Sequence, residues 1–370
     1  MHAETGGKGM KTIGMAVVFA VSVAFLGVAA PALAQGKGSS EVEARKPPSV
    51  APLKSGAVST HVPFGTGECS LCHEKKDGKG VGPALRPINK TCYFCHEDVQ
   101  NVMTSGKFKH KTAESCTNCH NPHNSAYPKL LLAKLPALCT DCHVGIRRRM
   151  DSKVKHGAMT TTASCSACHS PHASNVEKML LRLPYEQCMD CHSSDDTRDP
   201  KGRLLVNFKK LLAENPVQHA PVAQKDCSSC HETHGSENTR LLLAPYPPEF
   251  YAPFVPANYA LCFLCHDERI VTVKETTTET RFRNGSYNLH FAHVNKADKG
   301  RICRVCHEVH ASKQAFLVRE GVPYGSGGWI LKVGFTQNPD GGTCEKTCHT
   351  AKRYVNTVKP TAPAAKGAVK

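Results

Sequence analysis

The stretch HKTAESCTNCHNPH, residues 110–123, followed by CTDCH at 139–143, decides how the rest of the chain is read. It holds two Cys-x-x-Cys-His units. A histidine, His123, stands three places after the first unit, and another, His110, stands six places before its first cysteine. Between residues 61 and 350 the chain is largely this module, repeated and varied. Cys-x-x-Cys-His is the attachment motif of c-type haem. The two thiols add to the porphyrin vinyl groups as thioethers, and the histidine coordinates the iron from one side.

All 20 cysteines fall in such motifs. The thioether positions are Cys69 and Cys72, Cys92 and Cys95, Cys116 and Cys119, Cys139 and Cys142, and Cys165 and Cys168. They continue with Cys188 and Cys191, Cys227 and Cys230, Cys262 and Cys265, Cys303 and Cys306, and a stretched pair, Cys344 and Cys348. The motif histidines, expected as proximal iron ligands, are His73, His96, His120, His143, His169, His192, His231, His266, His307 and His349. Zinc ribbons use Cys-x-x-Cys pairs too, but do not need a histidine after each pair. A disulfide scaffold would not keep its cysteines two apart with a trailing histidine. Ten covalently attached haem c groups are therefore expected.

At the N-terminus, Lys8 and Lys11 precede an apolar run from Ile13 to Ala30, and then Ala32-Leu33-Ala34. This reads as a cleaved signal peptide over residues 1–34, with a retained membrane anchor as the alternative. Export fits, because haem c is assembled outside the cytoplasmic membrane in bacteria. The remaining chain offers roughly 34 residues per haem, too little to surround each macrocycle with an ordinary core. The expected fold is a multihaem cytochrome c with little regular secondary structure, its short helices wrapped around an elongated chain of ten haems.

The formal net charge of +16 does not indicate nucleic-acid binding. Without the signal peptide, and with two propionates on each haem, the total falls to about +5 oxidised and about −5 reduced. The basic balance mostly neutralises the cofactor.

Residues 35–60 are rich in Pro, Gly, Ser and charge and read as a flexible linker. Residues 351–370 read as a flexible basic tail. Between them lies a decahaem domain, 61–350, of five paired-motif modules: 61–109, 110–155, 156–200, 219–270 and 290–350. The two motifs of a module begin 23, 23, 23, 35 and 41 residues apart. In the second and third modules a leucine run leads to Pro136 or Pro184, expected to end any helix there. Period-two alternation over 269–283 suggests a small hairpin, and 325–342 a second short strand pair.

Ten histidines remain outside the motifs once His2 is set aside with the signal: His61, His110, His123, His156, His172, His219, His234, His290, His293 and His310. Ten irons need ten sixth ligands, so bis-histidine ligation throughout is expected. The spacing suggests that a histidine three places after a first motif serves the preceding motif. His123 would go to the His96 iron, His172 to that of His143, His234 to His192 and His310 to His266, with the surplus at 290/293 supplying the His349 iron. An iron with two histidines has no open position for substrate. The reading is electron transfer and not an enzyme.

The pieces CTNCHNPH at 116–123, CSACHSPH at 165–172 and the run from His219 through CSSCHETHGS resemble the doubled-CxxCH multihaem cytochromes. Most specifically they resemble the decahaem MtrA-type subunit of outer-membrane porin–cytochrome conduits, related to NrfB-type electron carriers. The resemblance covers most of residues 61–350. It implies a periplasmic or outer-membrane-associated cytochrome sheathed in a β-barrel porin, taking electrons from partner cytochromes and passing them towards an outer-surface multihaem cytochrome. Departures from the pattern are Lys76 where a histidine would follow His73, the insertions in modules four and five, and the stretched last motif. The alternatives are an extracellular cytochrome filament subunit, a soluble periplasmic shuttle and, further off, a multihaem reductase.

Overall fold

The computed structural model describes residues 49–76, 80–325 and 327–357. The signal peptide expected over 1–34 lies outside the described residues. Regular structure is sparse, consisting of short α- and 3-10 helices and small strands. Among the described residues no helix is long and apolar enough to cross a membrane.

The repeated element follows each first motif. Around His120 the chain turns back on itself, so that Asn121 N–H donates to Leu130 O and Leu132 N–H to Cys119 O. His120 thereby faces Leu131 in an antiparallel bridge. The same arrangement recurs as His169 opposite Leu180, His231 opposite Leu242 and His307 opposite Val318. A serine five places after each of these histidines closes the loop. Ser125 Oγ donates to Leu131 O, Ser174 to Leu180 O, Ser236 to Leu242 O and Ser312 to Val318 O. The turn at the far end uses two consecutive left-handed residues, none of them glycine: Lys129–Leu130, Lys178–Met179, Arg240–Leu241 and Phe316–Leu317, with φ between 54° and 59°. Such residues cost of order 1–3 kcal/mol each and persist where the surroundings over-determine them. Module one keeps the frame with other residues: His73 pairs with Ala84, and Leu85 N–H donates to Cys72 O.

Four of the second motifs sit on α-helices, Ile88–Tyr93, Ala137–Thr140, Pro184–His192 and Ala260–Phe263. The prolines act opposite to expectation. Pro136 caps the start of one helix and Pro184 is the first residue of another. The fixed φ of proline and its missing N–H suit the first turn, where that N–H has no intrahelical partner.

Two-residue strands clamp each module to the next. Ser59–Thr60 pairs with Asn124–Ser125, Phe108–Lys109 with Ala173–Ser174, Val154–Lys155 with Gly235–Ser236, and Val217–Gln218 with Ala311–Ser312. Part of the expected linker over 35–60 belongs to the first clamp. Leu53 N–H donates to Asn124 Oδ1, Asn124 Nδ2 donates back to Leu53 O, and Val58 N–H reaches Ser125 O. The expected tail is likewise structured where described: Lys352–Val355 is the third strand of a sheet with Phe335–Asn338 and Gly341–Cys344. Over 269–283 the expected hairpin is absent, and Arg269–Thr272 is a helical turn. Over 325–342 two strands form, Trp329–Lys332 and Phe335–Asn338, but they do not pair with each other: the first pairs with Gly321–Tyr324 and the second with Gly341–Cys344. A small protein core gathers in modules four and five around Tyr259, Val271, Val294, Val305 and Val322. The insertions make this core, which the ratio of chain to haem did not anticipate.

Gly235 occupies the clamp position that is Asn124, Ala173 or Ala311 elsewhere. A Cβ there would stand 2.0 Å from Arg149 O, an impossible contact. Gly235→Ala is expected to destabilise the haem-loaded protein by roughly 2–3 kcal/mol, read as a lowered denaturation midpoint. Ala311→Gly at the equivalent position should cost about 1 kcal/mol or less. Equal effects would show that the third clamp is not tighter than the others.

Candidate haem-iron sites

When a histidine holds an iron with one ring nitrogen, the partner of the other nitrogen sets its tautomer and orientation. The repeated turn does this. Nδ1 of each first-motif histidine faces the carbonyl nine residues on: His73 and Gly82 (2.8 Å), His120 and Lys129 (2.9 Å), His169 and Lys178 (2.8 Å), His231 and Arg240 (3.0 Å), His307 and Phe316 (2.9 Å). In the last four, that carbonyl belongs to the first left-handed residue. The strained turn thus aims an acceptor at the imidazole and leaves Nε2 for the metal.

The clamps do the same for several histidines outside the motifs. His61 Nδ1 meets Pro122 O at 2.9 Å, His110 meets Pro171 O at 3.1 Å, and the Val309 carbonyl lies beside His219. His123 Nδ1 meets Val50 O at 2.9 Å, within the stretch expected to be linker. His293 meets Leu289 O, His290 meets Thr280 Oγ1 and His349 meets Thr350 O. His234 lies 3.4 Å from Glu232 Oε1, a carboxylate that also pairs with Arg149.

Nine pairs form between a motif histidine and a histidine outside the motifs. They are His73 with His123, His96 with His61, His120 with His172, His143 with His110, His169 with His234, His192 with His156, His231 with His310, His266 with His219, and His307 with His290. Their ring centres stand 6.0–6.3 Å apart and their planes lie within 26° of parallel. An iron held about 2 Å from one nitrogen of each ring, with each nitrogen about 1 Å from its ring centre, needs centres about 6 Å apart. The rings therefore fit a bis-histidine haem. The tenth couple, His293 and His349, are electrostatic neighbours. Among the described residues no group of three or more His, Cys, Asp or Glu is placed to hold a metal ion by side chains alone.

The pairing differs from the spacing-based expectation in one systematic way. In modules one to four the same two outside histidines serve the same two motifs, but exchanged. His123 faces His73 and not His96, and His61 faces His96. The clamp explains it. His61 N–H donates to His123 O, which locks the two backbones side by side, and the two rings then reach different motifs of module one.

Burial weakens proton binding at several of these imidazoles, among them His143, His156, His169, His290 and His310, which leaves the lone pair available. Desolvation, then His307 and His293, holds His290 down at about 3; desolvation, then His231, holds His310 at about 4. Large apolar side chains stand exposed within or next to the motifs, including Leu71, Phe94, Leu181, Leu264 and Phe316. A flat apolar macrocycle at each motif would cover such groups.

Cysteines of consecutive motifs approach one another along the whole series. Between modules, first cysteines meet. Cys116 pushes Cys92 up, and is itself held at about 7 by the shared proton. Cys165 acts on Cys139, Cys227 on Cys188 and Cys303 on Cys262 in the same way. Within modules, burial first and then the neighbouring motif's thiol raise Cys72 (Cys95), Cys168 (Cys191) and Cys306 (Cys344). Cys230 likewise feels Cys265, and Cys139 feels Cys119.

Sequence reading passed over the closing serines, the left-handed pairs and the Val50 carbonyl. The serines had a signal, the recurring His-x-x-His-x-Ser. The others act through backbone and leave none.

The Doubled CXXCH motif family matches residues 61–101, 110–148, 156–197 and 219–270. These stretches fall on the first four modules; the fifth, with its stretched motif, lies outside them. Multiheme cytochrome MtrA of Shewanella baltica is 28% identical over 79 residues, 21% of this chain and 24% of that protein. Cytochrome c3 of Desulfovibrio desulfuricans is 26% identical over 95 residues, 24% of this chain and 79% of that protein. The chain thus aligns with only about a quarter of its MtrA relative, a distant likeness. With paired attachment motifs in every module and both likenesses pointing the same way, the chain belongs to the doubled-CXXCH family and is a multihaem c-type cytochrome.

Proposed function

We propose that the chain carries ten covalent haem c groups, one on each motif, every iron held by the histidine pair described above, and that it conducts electrons along them. Haem supplies an iron that changes oxidation state by one electron, at a potential its axial ligands and surroundings set. The protein's own part is to fix spacing, orientation and dielectric. The observation that carries the reading is the unbroken succession of thiol neighbours from Cys72/Cys95 to Cys306/Cys344. Because each cysteine marks the attachment edge of a porphyrin, neighbouring edges lie together at all nine steps. Two imidazoles on each iron leave no place for substrate, which supports a carrier over a catalyst.

The cellular reading follows the distant likeness to MtrA: an exported, elongated cytochrome at the periplasmic side of the outer membrane, held by a β-barrel porin, taking electrons from periplasmic cytochromes and passing them to an outer-surface multihaem cytochrome. A soluble periplasmic shuttle is the second reading, favoured by the likeness to a cytochrome c3 along most of that protein's length.

The ligand exchange can be read directly. In a Cys92→Ala/Cys95→Ala background that lacks the second haem, His123→Ala is expected to produce one high-spin, carbon-monoxide-binding iron, while His61→Ala produces none. The reverse result would restore the spacing-based pairing. For the cellular role, the haem-loaded chain is expected to fractionate with the outer membrane and to co-purify at equal stoichiometry with a β-barrel protein. Recovery wholly in the soluble periplasmic extract, without such a partner, would select the shuttle.

A further inference from the structure

The ten ring pairs are not equivalent in what stands behind them. In eight, at least one imidazole has a hydrogen-bond acceptor for its Nδ1 hydrogen, a backbone carbonyl behind His73, His61, His120, His110, His169, His231, His307 and His293 in turn, and in a ninth the Val309 carbonyl lies beside His219. The exception is His156 with His192, whose ring centres are 6.3 Å apart. Among the described residues the Nδ1 of His192 is buried and meets no hydrogen-bond partner, and that of His156 meets none either.

The cause is visible in the third clamp. At the first two clamps the carbonyl of Pro122 or Pro171 turns to the upstream histidine. At the third, the corresponding residues are Glu232-Thr233-His234, and the chain is drawn against Arg149 O at Gly235. The Glu232 carboxylate folds back onto the N–H and the Nδ1 of its own neighbour His234, and is held there by Arg149 at 2.8 Å. The His169–His234 pair therefore gains a carboxylate behind it, while the His156–His192 pair receives nothing.

An imidazole that donates its second N–H to an acceptor is a more basic ligand and stabilises the more positive, oxidised metal. One without an acceptor favours the reduced metal. From the missing acceptors we infer that the His156–His192 pair holds the iron of highest reduction potential in the chain. It stands sixth of ten in motif order, next to a pair backed by a carboxylate, so electrons collect at an interior position and not at either end. The inference rests on the reading that each pair holds a haem iron.

The test is a spectroelectrochemical titration of the full haem-loaded chain and of His156→Met, which leaves the CMDCH attachment motif intact. Methionine in place of an axial histidine raises the potential. In the expected result the highest-potential component of the wild-type curve, about a tenth of the amplitude, moves higher still while the rest stays in place. If the variant loses that haem, the amplitude should vanish from the same end. A component that leaves the middle or bottom of the curve, or an unchanged curve, overturns the inference. Haem counting by mass on the wild-type protein separates this from failure of the underlying reading: a count far below ten would overturn the haem assignment itself.

Discussion

The hydrogen bond from an imidazole Nδ1 to a backbone carbonyl is the contact on which the first-motif sites depend. An unanchored histidine side chain can turn about two bonds and present either nitrogen. With Nδ1 tied to the carbonyl nine residues on, the ring has one orientation and one tautomer before any metal arrives. Placing that carbonyl needs two left-handed residues in succession, which L side chains resist. The serine five places after the histidine and the backbone bonds to either side of it hold the turn against that resistance. Local strain is thus converted into ligand geometry, and the conversion recurs four times with one set of contacts.

The second organising constraint is the clamp between modules. A strand of two residues is marginal by itself, because it contributes few hydrogen bonds and almost no burial. It holds here because the same segments carry the histidines. His61 and His123, His110 and His172, and His219 and His310 are each joined by a backbone hydrogen bond beside the clamp. Sequence modules and ring pairs are consequently out of step: each of the first four modules borrows one ring from its successor. Module five, by contrast, takes both of its outside rings from the single helix Leu289–Val294.

What could be read from the sequence follows from which groups are side chains and which are backbone. Attachment cysteines, motif histidines and the stock of ten further histidines are side-chain facts, and their spacing displays them. Partner choice among the histidines depends on the direction in which the clamp presents two adjacent rings. Spacing along the chain is nearly blind to that, so the expected pairs put each histidine beside the other motif of the module its ring faces. Pro136 and Pro184 were read as helix ends because proline interrupts a helix. The same missing N–H makes it a good first residue, and only the position of the following motif distinguishes the two uses. The stretch before Ser59 looked like linker from its composition. Its carbonyl at Val50 and its bonds to Asn124 carry no compositional mark.

The borrowing of rings between modules has a consequence for how such a chain can be cut, joined or lengthened. A break between residues 109 and 110 would leave module one with both of its attachment motifs but without the ring that His123 brings to His73. Modules two, three and four each give one ring to the module before and take one from the module after, so a second copy of any of them set beside the first would leave every motif histidine paired. Length can grow in units of two motifs, whereas a cut after any of the first four modules leaves one motif histidine behind without its partner ring.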